Sequence, residues 1–104
     1  MNSQTKNFLD AFLTPNDKYG EVPFYWWGGD KLDRERLSKQ LQLLKEKGIA
    51  GIQINYSHQY SRYSTEPYGG HGKSIEGEPE QFSEEWWDFF SYAAKECEKL
   101  GMGI

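Results

Sequence analysis

Apolar positions along this chain change period several times, and each change marks an element. Residues 22–27, VPFYWW, gather β-branched and aromatic side chains in a run too short for a helix, with Pro23 at the start of the strand where it is tolerated. From 33 to 47 the spacing becomes helical, since Leu37, Leu41 and Leu44 recur at i, i+4, i+7. Asp33 or Asp30 can cap this helix, Glu35 and Lys39 form an i, i+4 pair, and Gly48 follows Lys45 and Lys47 as a stop. Residues 49–55, IAGIQIN, are broken only by Gln53, the pattern of a strand covered on both faces.

Residues 56–82 carry no sustained period and are rich in Gly, Ser, Glu and Tyr, a long loop of the kind that is functional or disordered. A second helix over 84–100 is then well specified. Ser83 reads as its N-cap, Glu84 and Glu85 complement its dipole, and Phe82 is placed to staple onto Trp87. Its apolar stripe runs through Trp86, Phe90, Ala93, Ala94, Cys97 and Leu100 to a stop at Gly101, and 102–104 read as the start of a third strand.

Residues 1–20 form an N-terminal arm, in which 6–13 make a short helix with Phe8 and Phe12 on one face before a turn at Thr14, Pro15 and Asn16. Residues 21–104 alternate strand, helix, strand, helix and strand stub, which is the order of an α/β fold. Two parallel strands and a stub leave an open edge beside Ile52 and Ile54, where another chain can pair, so self-association is an expected property. A complete (β/α)₈ barrel needs about 250 residues. The expectation is therefore the N-terminal portion of something larger.

At 104 residues the chain fits one small domain, and because aromatics are 16% of it, large rings must supply much of the core. Trp26 with Trp27 and Trp86 with Trp87 are the obvious contributors. A net charge of −4 without a basic run argues against nucleic acid. Cys97 is alone and lies within a helical pattern, so it reads as a buried thiol. The first twenty residues have neither the apolar stretch of a signal peptide nor that of a membrane span; the expectation is a cytoplasmic protein with no membrane partner.

Candidate chemistry is sparse. YGGHGKS, 68–74, ends like a phosphate-binding loop, but Pro67 stands where that motif needs its first glycine and no helix follows. His58 and His71 have no Cys or carboxylate at metal-ligand spacing, so no metal and no cofactor is expected. Glu84 and Glu85 are adjacent on a helix and do not face each other, and nothing marks the loop acids Glu66, Glu76, Glu78 or Glu80 for a raised pKa. Asn55, Tyr56 and His58 fall at the carboxyl end of the second strand, where α/β folds place their ligands.

The order PFYWWGGDKLDRERLSKQLQLLKEKGIAGIQIN, a loop, then FSEEWWDFFSYAAKECEKLGMGI resembles the opening of the catalytic barrel of α-L-rhamnosidase-type glycoside hydrolases over residues 22–104. Trp27 with Asp30, Leu32 and Glu35, the joint Lys47, Gly48, Ile49, and Glu85, Trp86, Trp87 leading to Leu100 and Gly101 carry the resemblance. It implies the first β-α-β-α units of a TIM (β/α)₈ barrel, incomplete in this chain. It further implies removal of terminal sugars by two carboxylates on later strands, beyond residue 104, so no catalytic residue is transferred and the chain by itself is expected to be inactive. Substrate contact is assigned to Trp27, Asn55, Tyr56 and His58. Because side chains alternate along a strand, Trp27 is expected at the active-site mouth and Trp26 beneath Leu37 and Leu41. A non-catalytic carbohydrate-binding or interaction module is the alternative. A small flavodoxin-like or response-regulator-like domain is disfavoured, since no acidic cluster or phosphate loop follows the first strand.

Overall fold

The computed structural model describes residues 1–27, 31–56 and 77–104, with Tyr56 described for its backbone alone. The order is α1 (Ser3–Leu13), a short 3-10 helix (Asp17–Tyr19), β1 (Phe24–Trp27), α2 (Arg34–Glu46), β2 (Gln53–Tyr56) and α3 (Glu84–Leu100). This is a mixed α/β arrangement around a small two-stranded parallel sheet, in which Phe24 pairs with Gln53, Tyr25 with Ile54, Trp26 with Asn55 and Trp27 with Tyr56.

Local chemistry starts and stops the helices. The Asp33 carboxylate accepts from the Arg36 amide at 2.7 Å, and Gly48 follows α2 with φ 84°. Ser83 accepts from the Trp86 amide at 3.2 Å and donates to the Glu80 carbonyl at 2.7 Å, so its hydroxyl closes the α3 N-terminus from both sides. Phe82 stacks on Trp87 with ring planes 16° apart, the N′ to N4 staple, and Gly101 takes the left-handed cap at φ 64°.

Helices α2 and α3 pack on each other and on one face of the sheet. Leu37 and Leu41 of α2, Ile52 before β2, Trp86, Phe89, Ala93 and Cys97 of α3, Met102 and Trp27 form one core. Each large aliphatic or aromatic side chain fully buried here is worth about 1.5–3 kcal/mol. On α3 the stripe is rotated slightly from the expected one: Phe89 is buried, whereas Phe90 and Ala94 are only partly so. Trp27 meets both rings edge-on from the sheet, with centroids 5.3 Å from Phe89 and 6.3 Å from Phe90. Between the helices, the Ser38 hydroxyl lies 2.6 Å from the Tyr92 hydroxyl and donates to Glu96 at 2.9 Å; Arg34 bridges to Asp88 at 2.5 Å and lies over the Tyr92 ring.

Residues 102–104 do join the sheet. Gly51 and Gly103 form a parallel bridge in which the Ile52 amide donates to the Gly103 carbonyl at 3.0 Å and the Gly103 amide to the Ala50 carbonyl at 2.9 Å. The edge expected to be open beside Ile52 is thus closed at that residue.

Among the described residues, no helix lies on the opposite sheet face. Phe24 and Trp26 are 62% and 53% exposed, and their ladder partners Gln53 and Asn55 flank them. Two expectations are corrected here. Among the described residues the 49–55 segment is covered on one face only, and Trp26 does not pack beneath Leu37 and Leu41: Trp27, 5% exposed, takes that side. Side chains do alternate along β1, but with the faces exchanged from the expectation, because nothing local tells a strand which side its helices will occupy.

Candidate functional site

Parallel pairing brings the carboxyl ends of β1 and β2 to one end of the sheet, where Trp26 and Asn55 are neighbours across the ladder, about 4.8 Å apart in backbone. Trp26 meets Phe24 edge-on, centroids 6.1 Å apart, so the two rings line the open face together. Asn55 is partly buried, and its amide donates to the Gln53 carbonyl at 2.9 Å, which holds the side chain close to the strand. An aromatic ring and a positioned amide are a combination that takes a ligand with one apolar and one hydroxyl-bearing face.

Of the four residues assigned to substrate contact, Asn55 and Trp27 take opposite faces of the sheet. Asn55 stands on the open face beside Trp26. Trp27 points into the helical layer, edge-on to Trp86 at 5.7 Å and to Phe89 at 5.3 Å. Tyr56 ends β2 opposite Trp27 in the ladder. His58 lies outside the described residues, as do Gly28, Gly29, Asp30, His71, the 68–74 motif and the acids Glu66 and Glu76. Trp26, expected in the core, is instead the ring beside Asn55 on the face away from the helices, which its position one before Trp27 implies once the covered face is known.

Trp27 also forms part of a cleft of about 170 Å³ between β1 and the start of α2, with Tyr25, Asp33, Arg36, Gln40 and Phe89. That volume is below the roughly 300–1,000 Å³ of small-molecule pockets. Its polar groups are already engaged: Tyr25 donates to Gln40, Asp33 caps α2, and Arg36 donates to the Lys31 carbonyl. Burial pushes the Tyr25 phenol above its ordinary value, against the lowering effect of Arg36, so it serves as a hydrogen-bond donor. A second groove of about 420 Å³ is lined by Val22, Ile52, Gln53, Ile54, Phe90 and Ile104, largely apolar side chains along β2 beside the bridged Gly103.

Burial, followed by the nearby Glu96 charge, raises the Cys97 thiol, which is fully enclosed and unreactive. Among the described residues no three His, Cys, Asp or Glu side chains converge on a metal position, and the buried indole N–H of Trp86 meets no acceptor. No described helix is long and apolar enough to cross a membrane. No known family model, curated protein or solved structure matches the chain significantly.

Proposed function

We propose that this chain supplies the first β-α-β-α units of a (β/α)₈ barrel in an α-L-rhamnosidase-type glycoside hydrolase, an enzyme that removes terminal sugars from oligosaccharides or glycosides. The observation that carries the reading is the ladder pair of Trp26 and Asn55 on a parallel sheet whose helices lie on the other face. A barrel turns the helix-free face of its strands inward and binds substrate at their carboxyl ends. Trp26 then offers a flat ring to the C–H face of a pyranose, and Asn55 hydrogen-bonds a hydroxyl. The groove beside Ile104 suits the continuation of a third strand along β2.

On this reading the acid and base carboxylates are carried by other strands of the barrel, and the Trp26–Asn55 pair contributes substrate binding. The second reading is a non-catalytic carbohydrate-binding or interaction module, in which the same Trp26–Asn55 ladder pair serves binding alone.

Tryptophan fluorescence of the purified chain, titrated with rhamnose-containing oligosaccharides into the millimolar range, tests the carbohydrate reading. The expected result is a saturable change that Trp26→Ala or Asn55→Ala removes. A folded chain that shows no change rejects it.

A further inference from the structure

We propose that the exposed Phe82–Trp87 pair at the start of α3, with the carboxylates around it, docks an arginine-bearing segment of a partner polypeptide, a contact independent of the carbohydrate reading.

Two large rings are held in water here. Phe82 and Trp87 are 60% and 50% exposed, and they stack with planes 16° and centroids 5.8 Å apart. Trp86, 5% exposed, anchors them from the core, edge-on to Phe82 at 5.3 Å and to Trp87 at 4.7 Å. The pair is therefore fixed from below while much of its surface still meets solvent.

Holding Phe82 in this place strains the backbone. Its φ is 63°, and among the described residues it is the one non-glycine with positive φ. A bulky side chain in the left-handed region is unfavourable, whereas glycine would take the same backbone freely and lose only the ring. Stapling alone does not call for this ring, since a staple packs its apolar residue against the helix and Phe82 keeps more than half of its surface in water.

Charge selects the partner. Residues 77–94 carry Glu78, Glu80, Glu84, Glu85 and Asp88, with no lysine, arginine or histidine. Glu78 pairs with Lys31 and Asp88 with Arg34, whereas no described cation pairs with Glu80, Glu84 or Glu85. Glu84 stands at i, i+3 from Trp87, on the same helix face. The α3 dipole contributes roughly half a positive charge at this end, so the carboxylates leave the local field negative. Of the cations, guanidinium fits best. It is flat, stacks on an exposed aromatic face and takes carboxylates in a fork, whereas an ammonium is a point charge and a quaternary ammonium is held by an enclosing cage of rings. The chain already uses this combination internally, where Arg34 lies 4.9 Å over the Tyr92 ring while bridging to Asp88.

Titration of the isotope-labelled 104-residue chain with acetyl-Gly-Arg-Gly-Arg-Gly-amide at low ionic strength, followed through the indole N–H signals by NMR, reads the contact. The Trp87 signal is identified by its absence in Trp87→Phe. The expected result is a saturable shift of that signal, with affinity at least about tenfold weaker for the same peptide carrying citrulline, which is flat but uncharged. The double variant E84Q/E85Q changes two exposed side chains and should weaken binding at least about threefold, with the circular dichroism unaltered. Phe82→Gly relieves the backbone and removes the ring, so affinity should fall at least about tenfold while the urea midpoint holds. No shift of the Trp87 signal up to about 20 mM peptide, an equal response to the citrulline peptide, or affinity indifferent to E84Q/E85Q overturns the proposal. A lower urea midpoint in Phe82→Gly with affinity unchanged also overturns it, the ring then serving only to staple α3.

Discussion

Trp27 stands edge-on to Phe89, with ring centroids 5.3 Å apart and planes at 78°, and this contact joins the end of β1 to the middle of α3. It decides which tryptophan of the FYWW strand is structural. Trp27→Ala is expected to cost about 3–5 kcal/mol, the usual price of an aromatic removed from a core. Trp26→Ala should cost less than about 1 kcal/mol, since Trp26 is half-exposed. Urea denaturation of both variants measures the difference, and equal costs would contradict the assignment of faces.

Glu96 sits between two helices electrostatically. Lys99 first, and the Ser38 hydroxyl second, hold its carboxyl below the ordinary glutamate value. A depressed carboxyl contributes stability that is fully present above its unfolded value and is lost as pH falls through the folded one. Stability should therefore decline in that acid window, and Glu96→Gln should flatten the decline while leaving the slope near neutral pH alone. Midpoints of urea unfolding from neutral pH down into the acid range provide the check. The loss will be modest, because the Lys99 end of the pair is open to water.

The 102–104 stub holds to β2 through backbone that approaches too closely for a side chain. A Cβ built on Gly51 would lie 2.8 Å from the Gly103 carbonyl oxygen. Gly51→Ala should push residues 102–104 off the sheet, and amide exchange at Ile52 and Gly103 should accelerate at least about tenfold, as expected for loss of bonds worth roughly 1 kcal/mol each. Unchanged protection at both amides would show that the strand absorbs the methyl group by shifting.

How much of this was legible beforehand differs by element. The two long helices announce themselves through Leu37, Leu41, Leu44 and through the Ser83 cap, because a 3.6-residue period and a cap are local properties. The candidate site was only half legible. Asn55 follows from lying at a strand's end, but choosing Trp27 over Trp26 required knowing where α2 and α3 lie, and a strand of four residues with aromatics on both faces carries no such mark.

By itself, then, the sequence determined where chain segments are helical or extended, how the helices are capped, and that large rings would dominate the core. Only the tertiary structure decided which sheet face those rings bury. It also decided that Phe89 rather than Phe90 turns fully inward, that Gly103 bridges to Gly51, and that α1 projects from its own fold. The physical reason is the range of the interactions. Periodicity and caps act over three or four residues, whereas facing is set by contacts such as Trp27 with Phe89, between residues distant in sequence that meet only once the parallel strands and their helices have packed.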